Sequence, residues 1–157
     1  MKVTGFEPYF GAECHTLILG SFPSVKSRET MFYYGHPQNR FWRTLAEFFG
    51  SATPVTVPDK KELLSRHGIA LWDVVTECEI VGSSDLSIKD YTVADVDSFV
   101  REHDIRHVLV NGKRAAEILL STFPHLAPIC AVLPSTSPAN PRFDRDKWFA
   151  ALARTEE

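Results

Sequence analysis

Residues 17–24, Leu17-Ile18-Leu19-Gly20-Ser21-Phe22-Pro23-Ser24, run from an apolar strand directly into a turn. Three successive large aliphatic side chains leave no polar face, the mark of a strand covered on both sides. The glycine, proline and two serines that follow break the strand and let backbone N–H groups face a ligand, although an ordinary strand-to-loop turn has the same composition.

Working outward, Ile69 to Val75, His107 to Val110 and Ile129 to Leu133 read as strands of the same kind. Helical spacing fills the intervals. Asn39 to Phe49 sets Phe41, Leu45 and Phe48 beside Trp42, Ala46 and Phe49, with Gly50 where a glycine cap belongs. Asp59 to His67, stopped by Gly68, is a shorter helix. Thr92-Val93-Ala94-Asp95 reads as a capping box opening a helix that buries Val96, Phe99, Val100 and His103. Arg114 to Phe123 and Asp144 to Leu152 complete the set, and the polar, serine-bearing region from Glu77 to Tyr91 reads as a long loop near the site. Strands alternating with helices predict a three-layer α/β/α domain around a central, mostly parallel four-stranded sheet with right-handed crossovers. A length of 157 residues, 44% of them hydrophobic, suits one domain over 1–157. Ligands of such sheets bind beyond the carboxyl ends of the strands, which directs attention to the loops after Gly20, Val75, Val110 and Leu133.

The cysteines, Cys14, Cys78 and Cys130, are odd in number and form no C-x-x-C pair, which excludes a four-thiolate metal site within one chain and points to reduced thiols. His103 and His107 are four apart, but His107 begins a strand. The expectation is a protein without metal or cofactor. No apolar run approaches the roughly 20 residues that span a bilayer, and Met1 to Phe6 does not lead into a signal-type segment. A soluble, cytoplasmic protein without a membrane partner is expected. The formal charge of −3 argues against a protein that coats nucleic acid. Its distribution leaves a local basic surface open: acidic residues crowd Asp73 to Asp104, Lys26, Arg28, Arg40 and Arg43 flank one motif, and Arg142, Arg145 and Lys147 follow another.

That first motif is Met31-Phe32-Tyr33-Tyr34-Gly35-His36-Pro37-Gln38-Asn39-Arg40-Phe41-Trp42. Aromatic residues in a loop of turn formers are costly to expose unless they stack on something, and a flat base is a natural partner. The His-Pro-x-Asn-x-Phe-Trp string after the Gly20–Pro23 turn resembles the first motif region of the mismatch-specific uracil/thymine-DNA glycosylases and their hypoxanthine-DNA relatives, within the uracil-DNA glycosylase superfamily. Val132-Leu133-Pro134-Ser135-Thr136-Ser137-Pro138-Ala139-Asn140 resembles the second motif, a loop that approaches the DNA backbone and minor groove. The likeness runs from Leu17 to Trp148.

Two departures sharpen it. Phe22 stands where the uracil enzymes place an Asp or Asn that positions the attacking water, and Leu133 stands where they place a histidine; the hypoxanthine branch shares both losses. The resemblance implies a monofunctional glycosylase that hydrolyses the N-glycosidic bond of a flipped deaminated base, with hypoxanthine ahead of uracil or thymine, on double-stranded DNA with a damaged or mismatched base. Asn39 would position the water, or else cap the helix it precedes. Tyr34 would stack on the base, with Phe22 as a second face; either is also at home in a core. Asp73 could accept the N1–H of hypoxanthine and repel adenine, whose N1 carries a lone pair, or serve as a salt-bridge or turn residue. Ser135 and Ser137 would donate to phosphates, with help from Arg142. Arg28, Arg40 and Arg43 read as solvated charges, and Asn111-Gly112 as a turn. A serine hydrolase is disfavoured, because G-x-S-x-G is absent and no histidine follows His125. A non-catalytic nucleic-acid-binding module on the same fold is the rival from another class, and a monomer is expected.

Overall fold

The computed structural model describes residues 2–80 and 88–156. In chain order these form β1 (Lys2–Thr4), β2 (Thr16–Gly20), α1 (Val25–Thr30), α2 (Phe41–Phe49), α3 (Val57–Arg66), β3 (Ile69–Asp73), β4 (Val75–Ile80), β5 (Ile88–Val93), α4 (Val96–Glu102), β6 (His107–Asn111), α5 (Lys113–Thr122), a 3-10 turn (Pro124–Ile129), β7 (Cys130–Leu133) and α6 (Arg145–Thr155).

Side chains alternate across a strand, so β2 sends Leu17 and Leu19 to one face and Ile18 to the other. Both faces are covered. On the first, Leu17, Leu19, Val108 and Val110 meet Val96 and Phe99 of α4 and Ile118 and Leu119 of α5. On the second, Ile18, Leu71 and Leu109 meet Phe41 and Leu45 of α2, Leu64 of α3 and Trp148 and Leu152 of α6. Each such aliphatic side chain stabilises the fold by about 1.5–3 kcal/mol relative to exposure. The expected three layers follow from that double coverage, and the sheet, in the order β3-β2-β6-β7, is parallel throughout. Register brings Gly20 beside Asp73 and Asn111 beside Leu133, so the strands end together.

A second, antiparallel sheet of order β1-β4-β5 corrects the reading of Glu77 to Tyr91 as a loop: residues up to Ile80 and from Ile88 are strand, and 81–87 lie outside the described residues. These strands are polar, and their pairing shifts register between Val75 and Glu77 and again between Glu77 and Glu79. Val75 and Cys78 are thereby both buried at odd spacing, which erases the period-two signal. The expected strand Ile69 to Val75 also divides. At Val74 the chain leaves β3, donating its N–H to Gly20 O at 2.8 Å, and Val75 donates to Ser21 O at 3.1 Å before β4 continues.

Caps differ from expectation where side-chain bonds decide them. Asp95, not Thr92, caps α4, accepting the Ser98 N–H at 3.2 Å, while Thr92 belongs to β5. Thr56 caps α3, which begins two residues before the expected Asp59, by accepting the Asp59 N–H at 3.2 Å. Gly50 ends α2 with φ +68°, as its glycine implied. Helix α1 had no apolar period to announce it; its six residues bury Ser27 alone.

Candidate active site

From β2 the chain leaves towards α2 and α3 on one face of the sheet, and from β6 towards α5 on the other. The ends of these neighbouring strands therefore open a crevice. Gly20 is buried at the end of β2, where a Cβ would lie 2.7 Å from Asp73 Oδ1 and 3.0 Å from Tyr34 Oη. The absence of a side chain at this position is what lets the carboxylate and the phenol converge. Asp73 is 5% exposed. Burial, with the Asp73 charge next in size, pushes the neighbouring Tyr33 phenol well above the usual tyrosine range, so that group stays neutral.

Tyr34 is delivered by a tightly pinned turn. Ser24 caps α1 by accepting the Ser27 N–H at 3.1 Å, and Ser27 Oγ in turn accepts the Gly35 N–H at 2.9 Å. Tyr34 adopts φ +54°, and its ring stacks on Phe41 at 4.1 Å with 24° between planes. A left-handed backbone costs an L-residue about 1–2 kcal/mol, which the ring packing offsets. The aromatic string is mostly core, not the exposed stacking surface its composition suggested. Phe32 and Tyr33 are buried, Tyr33 donates to Glu7 O at 2.8 Å, and Trp42 Nε1 donates to Tyr33 O at 3.1 Å. Tyr34 alone among these consecutive aromatics stays half-buried beside the crevice.

Asn39 lies in the same segment. Its Oδ1 accepts the Phe41 N–H at 2.9 Å from the position before Arg40, which is the N-cap of α2 and has no side-chain cap bond of its own, so Asn39 closes a side-chain turn onto the start of the helix and is not its N-cap. The amide oxygen retains a second lone pair, and its nitrogen two donors. Through Phe41, whose N–H it holds and whose ring stacks on Tyr34, Asn39 is joined to the crevice.

The loop after β7 is fastened from three sides. Asn111 Nδ2 donates to Thr136 Oγ1 and Thr136 N–H donates to Asn111 Oδ1, both at 3.0 Å and both buried. Trp148 Nε1 donates to Pro134 O at 2.8 Å. Arg40 donates its backbone N–H to Thr136 O at 3.1 Å, and its Nη1 to Ser137 O at 3.2 Å and Asn140 O at 3.1 Å. Within the loop Ser135 Oγ accepts the Ser137 N–H at 3.1 Å, and Ser137 Oγ accepts the Ala139 N–H at 3.2 Å. Each of these hydroxyls accepts from the backbone and keeps its own O–H for another acceptor. Arg142 is exposed and lines a cleft of about 540 Å³ with Arg40, Arg43, Thr44, Glu47, Phe143, Asp144, Arg145 and Asp146.

Tyr34 and Asp73 are thus brought together, and the loop bearing Ser135 and Ser137 is tied to the segment bearing Asn39. Phe22, 9% exposed, packs in the core on the Leu17 face, and Leu133 in the core on the other. Arg40 was misjudged as a solvated charge, because its partners are carbonyls 97 and 100 residues away. Asn111 does more than make a turn, and Thr136, which holds it, carried no signal at all. Among the described residues no three His, Cys, Asp or Glu side chains gather as a metal site.

A family model described as the uracil DNA glycosylase superfamily matches residues 7–155. A hypoxanthine DNA glycosylase of Methanosarcina acetivorans is 34% identical over 156 residues, covering 94% of this chain and 96% of that protein. Another of that name from Methanosarcina barkeri is 36% identical over 120 residues, 74% of this chain and 75% of its own. A Methanosarcina acetivorans protein solved by solution NMR and described as a candidate uracil DNA glycosylase superposes with a TM-score of 0.85 at 32% identity, with 100% of both chains covered.

Proposed function

The chain belongs to the uracil DNA glycosylase superfamily, and on that premise we propose that it removes hypoxanthine from DNA as a monofunctional, metal-independent glycosylase. It is a DNA glycosylase, a hydrolase acting on N-glycosyl bonds, and DNA is its substrate.

The observation that carries the choice of base is Asp73: a buried carboxylate at the end of β3, converging with the Tyr34 phenol over Gly20. A flipped base entering there would lay its ring against Tyr34 and offer an edge to the carboxylate. An ionised carboxylate only accepts; hypoxanthine has an N1–H to give and adenine has a lone pair instead, so the deaminated base is favoured. The relatives' name agrees with this reading. Phe22 and Leu133, both core residues, leave the positions used by the uracil enzymes without a polar group.

In the reaction, a water oxygen bonds to the sugar C1′ as the bond to the purine N9 breaks, the electron pair leaves on the base, and the proton the water loses passes through solvent to the departing base, which leaves as neutral hypoxanthine. Asn39 orients that water through the lone pair and donors that its bond to the Phe41 N–H leaves available, so its work is orientation and electrostatic stabilisation. Ser135 and Ser137 donate their O–H groups to backbone phosphates, and Arg142 adds charge at the same edge. Phe22 supports the far side of the pocket from within the core. Hydrolysis without a Schiff base is supported by the lack of a lysine in either motif loop; Lys26, the nearest, pairs with Glu29 at 3.3 Å. Flipping costs a few kcal/mol, least at a mismatch, so an inosine–thymine pair in duplex DNA is the expected target of a monomeric, cytoplasmic enzyme.

Incubation with duplexes containing inosine, uracil or ethenoadenine, followed by chromatography of the released base, tests the reading. Free hypoxanthine and an abasic strand are expected, with uracil released at least about tenfold more slowly, because Phe22 and Leu133 offer it no polar group and the smaller pyrimidine fills a purine pocket poorly. Faster release of uracil or thymine would reassign the substrate. Binding to abasic DNA with no base released from any duplex would make the chain a binding module.

A further inference from the structure

Arg40 holds both motif segments at once. Its own C=O accepts the Thr44 N–H at 3.0 Å and Thr44 Oγ1 at 2.7 Å, which seats it as the N-cap of α2, next to Asn39. Across the gap, its Nη1 reaches the carbonyls of Ser137 and Asn140, the two ends of a turn that Asn140 N–H closes onto Ser137 O at 3.0 Å. Its backbone N–H takes Thr136 O, and its guanidinium lies 5.1 Å from the Phe143 ring centre. Every acceptor is a main-chain carbonyl. The contacts therefore fix where the loop runs, whatever side chains it carries.

We propose that Arg40 is a positioning residue, a latch that sets the loop bearing Ser135 and Ser137 at a fixed offset from Asn39, so that phosphate grip and water placement move as one body. This rests on the roles given above to Asn39 and the loop. The planar fork matters: one nitrogen directs its two hydrogens at two carbonyls while the ring of Phe143 supports the plane. Lysine keeps the charge but offers a mobile ammonium, so Arg40→Lys separates geometry from electrostatics. The offset also explains why a cation sits half-buried among carbonyls when exposed arginines line the adjoining cleft.

Two measurements on Arg40→Lys and Arg40→Gln test the latch, with melting curves to identify a variant that fails to fold. In hydrogen exchange, the amides of Ser137, Ala139 and Asn140 should exchange about tenfold faster while those of β2 and β6 keep wild-type protection. In single-turnover kinetics at saturating enzyme, on whichever base the wild type releases, Arg40→Lys should cut the rate about tenfold and add little to Asn39→Ala, because both act on one water. Its salt dependence of DNA binding should match the wild type. Wild-type exchange in the loop would overturn the latch. Faster exchange with an unchanged rate would show that the offset does not matter to chemistry, and a rate loss that multiplies with that of Asn39→Ala would place Arg40 outside the water's control. For Arg40→Gln, a salt slope lower by about one with an unchanged rate at saturation would make Arg40 a phosphate ligand instead. If the wild type releases no base, the functional reading fails while the exchange result still decides the latch.

Discussion

Asn39 has one oxygen and two duties, and they separate by substitution. Its bond to the Phe41 N–H means that Asn39→Ala removes the turn contact that satisfies the first N–H of α2 and about 1 kcal/mol of stability. If the same oxygen orients the water, single-turnover cleavage should also fall by about a hundredfold or more, some 3 kcal/mol of transition-state stabilisation, with little change in affinity. Asn39→Asp keeps an acceptor for that N–H, so thermal melting should recover while the rate does not. Wild-type cleavage in an Asn39→Ala protein that melts early would leave the residue structural. Asp73 is argued similarly: Asp73→Ala should reduce inosine cleavage by at least about tenfold more than it weakens binding to an abasic duplex, since the base edge is absent from the latter. Equal losses in rate and in abasic affinity would point to a structural carboxylate. Guanine also carries an N1–H, so charge at Asp73 leaves its exclusion to the shape of the pocket.

Among the elements, the loop from Pro134 to Asn140 depends on the buried exchange between Asn111 and Thr136. Thr136→Val keeps the volume and removes the acceptor of the Asn111 amide, stranding a buried donor at a cost of about 1–3 kcal/mol. Denaturant unfolding should record that loss as a lower midpoint with an unchanged slope, and an unaltered midpoint would show that the pair stabilises nothing. The elements that could be read from sequence were those whose pattern is local. Phe41 to Phe49 repeats at helical spacing and ends on glycine; Leu17 to Leu19 is apolar on both faces. What could not be read depends on distant partners. Strands β4 and β5 are polar and bulged, so nothing in 77–91 predicted that they would pair. Arg40 and Thr136 acquire their meaning only when residues about a hundred positions apart, or two buried strand ends, have been brought together.

The proposed roles fall on segments that leave the carboxyl ends of the strands of one parallel sheet, which the alternation of strand and helix already predicted. The convergence of Gly20 and Asp73 was legible because both close strands, and Tyr34 was singled out by the family resemblance, whereas the rest of the aromatic string misled: its composition suits base stacking and core packing equally, and core packing took most of it. No side chain in the proposed scheme needs a metal, so cleavage should proceed at the same rate after dialysis against excess EDTA. Activity lost to the chelator and restored by zinc or magnesium would overturn the mechanism. Among the described residues, no helix is long and apolar enough to cross a membrane.

Asn111-Gly112 is also a chemical clock. In a free peptide this dipeptide ages fastest of all, because the glycine nitrogen attacks the asparagine amide, closes a succinimide and expels ammonia. Here the Gly112 N–H is held by Leu133 O at 2.9 Å and the amide is gripped at both ends by Thr136, so the ring cannot close without first dismantling the loop. Mass spectrometry after prolonged warming should find residue 111 still an amide in the native protein and converted in Thr136→Val. The bonds that fix the loop after β7 thus also shield the Asn111 amide from hydrolysis.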